Sequence, residues 1–204
     1  MLCKISLSCL SLAVLFMTYS AAQNSTELRD PKSFSKIAEK KERSRALFTE
    51  AAKVITHPRC MNCHPADDHP RQGNNMLLHT PPATRGPAGL GIGGNTCQAC
   101  HTETNYTLLE SAASFQSMPG NPRWALAPIE MAWQGKSLTE ICQQIKDPKR
   151  NGNKTLEMLH EHMAQDELVG WGWNPGAGRD PAPGNQKAFG ELIHAWIETG
   201  AECP

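Results

Sequence analysis

Two short stretches share one pattern: Cys60-Met61-Asn62-Cys63-His64 and Cys97-Gln98-Ala99-Cys100-His101. Each reads C-x-x-C-H, the sequence at which a c-type haem is attached to a protein. The chain holds only eight Cys and eight His in 204 residues, so two such pentapeptides are very improbable by chance. The repeat therefore predicts two covalently bound haem c groups and a fold arranged around them.

The spacing inside each motif follows from the chemistry of attachment. Two thiols with two residues between them on a helical turn can reach the two vinyl groups on one edge of a porphyrin. The imidazole of the adjacent histidine then binds the iron as its proximal ligand. The residues predicted for these roles are Cys60, Cys63 and His64 at the first motif, and Cys97, Cys100 and His101 at the second.

Two other kinds of site use paired cysteines, and both explain the pattern less well. A structural zinc site has a variable gap between its cysteine pair and the next ligand, so an adjacent histidine has no reason to recur. A thiol–disulfide centre follows a strand in a thioredoxin-like pattern, and no such strand is predicted here.

The N-terminal segment predicts export. Lys4 precedes a largely apolar stretch at 5–18, and Ser20-Ala21-Ala22 offers small residues before a cleavage site at Gln23. No other segment approaches the ~18 apolar residues of a membrane-spanning helix. We expect a signal peptide at 1–22 and a periplasmic or otherwise exported protein, with no membrane span after cleavage. An uncleaved N-terminal anchor is the alternative.

Charge and composition limit the partners and the domain count. Lys plus Arg and Asp plus Glu number 20 each, so the chain lacks the basic excess of nucleic-acid-binding domains. Its length fits one domain or two small ones. We expect a charged, helical N-terminal segment at 23–44 and a single dihaem domain at 45–204.

Helical patterns account for most of the remaining chain. One or two helices are predicted between Ser33 and Ile55, and Ser137-Leu138-Thr139-Glu140 is a capping box that begins a short helix. Further helices are predicted from about Lys154 to Leu168 and from Gln186 to Thr199, and no alternating strand is predicted. The apolar face expected for the last helix consists of Phe189, Leu192, Ile193, Trp196 and Ile197. The expected fold class is mainly α and cytochrome c-like, with short helices and long Gly/Pro-rich loops around two haems.

Four histidines are candidates for the distal position of each iron. His79 lies in the loop between the motifs, where it could cover a haem face, and His57 could bind the haem of the other motif. Helical phase places His160 on the apolar face of its helix and His162 on a flanking face, and the sequence does not decide between them. The alternatives are a helix C-terminal role for His57 and a core role for His160.

A methionine and three tryptophans are weaker candidates. Met118 precedes a proline in a loop, but a methionine that fills a gap in the core is the more common case. Trp133, Trp171 and Trp173 could pack on haem edges or form part of an ordinary aromatic core.

Cys142 and Cys203 are the two cysteines that neither the motifs nor the signal peptide accounts for. An even remainder in an exported protein favours a disulfide, which would join the C-terminal tail to the capping-box helix. Two free buried thiols are the alternative.

Several stretches resemble a family of periplasmic dihaem cytochromes c. They are His57-Pro58-Arg59 before Cys60, the runs at 133–137 and 147–152, and those at 160–163 and 168–173. Members of this family are often labelled as a subunit of isoquinoline 1-oxidoreductase, a molybdenum hydroxylase. The resemblance covers about residues 45–204. It implies redox partner proteins, among them a molybdenum-containing oxidoreductase. No molybdopterin or iron–sulfur signature occurs in the sequence, so the resemblance implies that this chain is the electron carrier and not the hydroxylase.

Two classes of function are therefore expected. Electron transfer is favoured, because spare histidines can fill both distal positions and a saturated iron has no site for substrate. The alternative is a small dihaem peroxidase with one five-coordinate haem and Glu103, Glu130 or Glu161 as general acid or base. The short chain leaves little protein for a gated pocket, which counts against the peroxidase. A ligand sensor is a third, weaker possibility.

Overall fold

Helices dominate the computed structural model, which describes residues 27–105 and 119–204. The predicted signal peptide and Met118 lie outside the described residues. The helices are α1 (Lys40–Ile55), α2 (Pro58–Met61), α3 (Leu138–Lys146), α4 (Leu156–Gln165), α5 (Glu167–Gly170) and α6 (Gln186–Glu198). Short 3₁₀ turns span Pro31–Lys36, Pro87–Gly89, Cys97–Ala99, Ile129–Met131 and Trp171–Trp173. The mainly α class predicted from the sequence agrees with this content.

Two antiparallel hairpins contradict the expectation that no strand is present. Strand β1 (Arg71–Gln72) pairs with β2 (Leu77–Leu78), and β3 (Gly91–Ile92) pairs with β4 (Asn95–Thr96). Strands of two residues are too short to show the alternation that identifies a strand in a sequence. Both hairpins lie between the two cysteine motifs.

The core is built from α1, α3, α4 and α6. The predicted apolar face of α6 is buried at Phe189, Leu192, Ile193 and Trp196, and the rings of Trp196 and Phe48 of α1 lie 5.0 Å apart. Helix α4 approaches α6 closely at Gly190, where an added Cβ would lie 2.5 Å from the Cβ of Ala164. Phe34, before α1, belongs to the same core.

The predicted helix at 154–168 is two helices in the structure. Asp166 has a non-helical backbone, ends α4 and begins α5, and its carboxylate accepts a hydrogen bond from the Leu168 amide at 2.8 Å. Aspartate is a favoured N-cap because its side chain satisfies a free amide of the first turn. The apolar periodicity of the segment does not reveal this break.

Helix α3 begins at the predicted capping box, and the predicted disulfide joins it to the C-terminal tail. Ser137 and Glu140 form the reciprocal capping box, with the Glu140 carboxylate 2.8 Å from the Ser137 amide. Cys142 on α3 forms a disulfide with Cys203, and the two Cα atoms are 5.6 Å apart. The C-terminal tail is thereby held against the helical core.

None of the helices within 27–105 and 119–204 combines the length and the apolar character that crossing a membrane requires.

Candidate functional site

The first cysteine motif continues directly from the helical core. Helix α1 ends at Ile55, and Pro58 then begins α2, a position that suits proline because its missing N–H would be unpaired there anyway. The His64 amide donates to the Cys60 carbonyl at 3.1 Å, so the motif forms one tight turn. Cys60, Cys63 and His64 all line one cavity.

The His64 ring is held in a fixed orientation. Its Nδ1 lies 2.6 Å from the Met131 carbonyl oxygen, and the ring stacks on Trp133 with centroids 3.5 Å apart. A carbonyl can only accept, so Nδ1 carries the proton and Nε2 keeps a free lone pair. Burial lowers the pKa of His64 to about 4. The imidazole is therefore neutral at physiological pH, the form that binds metal ions.

The cavity at this motif is large and mainly apolar. It encloses about 1210 Å³, counting the part that opens to solvent. Its walls come from the motif, from the segment around Met131 and from helices α4 and α6, which contribute Leu159, Met163 and Phe189. A flat apolar group would find here the contacts of an ordinary protein core.

The second motif repeats this arrangement on a different scaffold. Cys97 begins a 3₁₀ turn directly after β4, and the His101 amide donates to the Cys97 carbonyl at 2.9 Å. The His101 Nδ1 lies 2.6 Å from the Pro119 carbonyl, and the ring stacks on Trp124 with centroids 4.7 Å apart. Burial lowers the pKa of His101 as well. Nε2 is again left with a free lone pair.

A smaller cavity of about 760 Å³ lies at the second motif and shares a wall with the first. Cys100 and His101 line it, together with the β1–β2 hairpin. Cys63, Leu126 and Trp171 line both cavities. Two groups bound in these cavities would therefore be close neighbours, separated by a few side chains.

The four candidate distal histidines divide evenly. His162 lines the first cavity, and His79 lines the second, where its ring centroid is 6.1 Å from that of His101. His160 lines neither and packs near His194, with ring centroids 5.2 Å apart. His57 also lines neither; its Nδ1 accepts a hydrogen bond from the Arg59 amide at 3.3 Å as the N-cap of α2.

The two distal candidates on the cavity walls share the hydrogen-bonding pattern of the motif histidines. The Nδ1 of His79 lies 2.7 Å from the Pro81 carbonyl, and that of His162 lies 3.1 Å from the Asp166 carboxylate. Metal-binding histidines usually donate their other ring N–H to such an oxygen, which fixes the tautomer and the ring orientation.

Charged residues on the cavity walls are cationic. Arg59 and Lys154 line the first cavity, Arg71 and Arg179 the second, and no Asp or Glu of the described chain lines either. Glu103, Glu130 and Glu161, the acid or base candidates for a peroxidase, are exposed and belong to neither wall. A haem carries two carboxylate side chains, and walls that present cations fit such a group. Arg71 is already paired with Asp67 at 2.7 Å, behind the cavity wall.

The thiols fit attachment better than redox exchange. None of the four motif cysteines forms a disulfide, and burial raises the pKa of Cys60 and of Cys63 to about 12. A reactive dithiol instead has a lowered thiol pKa. Within residues 27–105 and 119–204, no group of three or more His, Cys, Asp or Glu is arranged to hold a metal ion. A haem iron needs only one or two protein ligands, so this finding concerns zinc-type sites alone.

Sequence reasoning missed the residues that orient the motif histidines. The Met131 and Pro119 carbonyls are backbone atoms and leave no sequence signal. Trp124 was not singled out, although tryptophan is rare enough in this chain to be considered at any cavity. Arg59, which directly precedes the first motif, is fully buried, and its position after Pro58 does not predict that burial.

Comparisons of the chain with protein-family models, with curated proteins and with solved structures found no match.

Proposed function

We propose that this chain is an exported dihaem cytochrome c that transfers electrons from a molybdenum hydroxylase-type dehydrogenase to a downstream acceptor. The observation that carries the proposal is a set of four histidines, two on each cavity wall. They are His64 and His162 at the first cavity, and His101 and His79 at the second. Each keeps Nε2 free because Nδ1 donates to an oxygen, so the chain can supply both axial ligands at each site.

The cysteines would attach the cofactors without a leaving group. Each Cys S–H would add across a vinyl C=C, with a new C–S bond and the hydrogen on the neighbouring carbon. His64 and His101 would hold the irons through Nε2, and their stacking on Trp133 and Trp124 restricts rotation of the rings. When bound, each haem supplies one iron that alternates between ferric and ferrous and so stores one electron.

This arrangement suits a carrier between a two-electron donor and a one-electron acceptor. The dehydrogenase would release two electrons as it oxidises its substrate, one for each site, and both would leave singly. The shared wall at Cys63, Leu126 and Trp171 supports a short path between the sites. The Cys142–Cys203 disulfide supports export, because such bonds persist in oxidising compartments.

The peroxidase alternative needs an open iron position and a nearby acid or base. Within residues 27–105 and 119–204, no carboxylate lines either cavity, and at each site a second histidine lines the same cavity as the proximal histidine. Both observations favour the carrier over the peroxidase.

The test compares His162→Ala with the matched control His160→Ala, two residues along the same helix. We expect two haems per chain by pyridine haemochrome assay in all proteins. The wild type should show low-spin ferric spectra and no rapid carbon monoxide binding after reduction. His162→Ala should bind one carbon monoxide per chain, and His160→Ala should behave like the wild type.

Other outcomes would count against the proposal. A high-spin band or carbon monoxide binding in the wild type would favour the peroxidase or a ligand sensor. Fewer than two haems per chain would contradict the cofactor assignment itself. An effect of His160→Ala in place of His162→Ala would reassign the distal ligand of the first site.

A further inference from the structure

Arg59 is a buried cation with unused hydrogen-bond donors. Only 2% of the residue is exposed, and Nη2 donates to the Asn74 side-chain oxygen at 3.0 Å. Nε and Nη1 are buried without any partner. Leaving a charged donor buried and unpaired is costly, so such a group indicates a partner that completes it.

Among the residues that the structure describes, no carboxylate hydrogen-bonds to Arg59. Arg59 lines the first cavity, whose wall holds Lys154 as a second cation and no carboxylate from the described residues. Asp180 lies close enough for its charge to favour the charged form of Arg59. The hydrogen bond that Asp180 makes here is from its backbone amide to the Asn74 side-chain oxygen, at 3.0 Å. Burial lowers the pKa of Arg59 to about 10, so the guanidinium is still charged at neutral pH.

A second unpaired donor lies beside it. The Arg59 guanidinium carbon is 5.6 Å from the centre of the Trp171 ring, and the indole Nε1 of Trp171 is buried without a partner. Trp171 lines the same cavity. An arginine and an indole N–H together present the donors that a carboxylate accepts.

We propose that Arg59 and Trp171 bind a carboxylate of the group that occupies the first cavity, which for a haem is a propionate side chain. The inference rests on the proposed function and adds to it an assignment of this chain's own residues. Arg59 would be a positioning residue that also sets the charge at this site. Trp171 lines both cavities, whereas Arg59 lines the first and not the second, so the loss of Arg59 should affect one haem more than the other.

Removing the cation should change the redox potential of that haem. A nearby positive charge favours the ferrous state, which carries one positive charge fewer, so loss of Arg59 should lower the midpoint potential. Arg59 should also keep the propionate ionised. Without it the pKa of the propionate should rise, and the potential should then fall as pH increases through that pKa.

Other charged and titratable groups surround this region and remain in the variants. They are His57 before α2, Cys60, Cys63 and His64 in the motif, Arg85 in the segment between the motifs, Lys154 before α4, His162 on α4, and Arg179 and Asp180 in the loop after Trp173. Their contribution is measured by the pH profile of the wild-type protein, which each variant profile is compared with.

The experiment is a redox titration of the holoprotein at several pH values, with Arg59→Gln, Arg59→Lys and Trp171→Phe. Arg45→Gln on α1 is the control for loss of one positive charge, because this half-buried arginine pairs with Glu42, donates to the Cys203 carbonyl and lines neither cavity. We expect Arg59→Gln to lower one midpoint potential and make it pH-dependent across the neutral range. Arg59→Lys should largely restore both properties, and Trp171→Phe should give a smaller shift in the same direction.

Each outcome decides the inference. Unchanged potentials in Arg59→Gln with both haems attached would overturn it, as would equal shifts of both haems or a similar shift in Arg45→Gln. If Arg59→Gln does not fold, Trp171→Phe with a wild-type pH profile would overturn it. The haem count of the wild type separates the two proposals, since two attached haems with no effect of Arg59 would leave the proposed function standing.

Discussion

The first motif belongs to the helical part of the molecule, whereas loops hold the second. Helix α2, which holds Cys60, follows α1 after a two-residue link, and α4 and α6 line the cavity of this motif. Cys97–His101 follows a hairpin of two-residue strands, and its cavity is lined mainly by loop residues. Even so, both histidines are fixed by a backbone carbonyl and a stacked tryptophan. The same orientation of a histidine ring is therefore reproduced on a helical scaffold and on a loop scaffold. We expect the helical surroundings of the first motif to be the more stable of the two.

The largest expected difference follows from removing the attachment thiols. Cys60→Ser with Cys63→Ser, and Cys97→Ser with Cys100→Ser, should each reduce the haem count from two to one. The first pair should lower the melting temperature more, because it leaves an apolar cavity unfilled next to the core. Haemochrome assay and calorimetry measure both effects, and equal melting temperatures for the two pairs would contradict the comparison.

Replacing the stacked tryptophans should also destabilise the protein more at the first motif than at the second. Trp133 belongs to the buried core cluster and Trp124 does not. Trp133→Ala should therefore lower the free energy of unfolding by about 3–5 kcal/mol, and Trp124→Ala by less. Denaturant titration measures this, with Trp133→Phe and Trp124→Phe as controls that keep a ring for stacking. A larger loss for Trp124→Ala would show that the loop region is the more tightly packed.

Loss of the disulfide should affect the helical part alone. Cys142→Ala with Cys203→Ala opens a link between residues 61 positions apart and should cost about 2–4 kcal/mol of stability. Neither cysteine lines a cavity, so the optical spectra of both haems should stay unchanged. A change of spin state at either haem would show that the C-terminal tail supports a ligand.

Local patterns predicted the parts of the fold that are decided within a few residues. The capping box of α3 and the apolar face of α6 are confirmed, because both depend on neighbours within one or two turns. The single helix at 154–168 was wrong, because the side chain of Asp166 caps a second helix within an unbroken apolar pattern. The hairpins were missed because two residues carry no periodicity.

The sequence by itself determined the two motifs and their six candidate haem residues, because these depend on residue type and short spacing. It favoured a disulfide between Cys142 and Cys203 because these were the two cysteines left over, and the structure decided that pairing. Only the tertiary structure decided which histidines share a cavity, and that Arg59 is buried beside Trp171. The contact between His64 and the Met131 carbonyl joins residues 67 positions apart. Such contacts are set by how the helices and loops pack together, and that packing leaves no pattern along the chain.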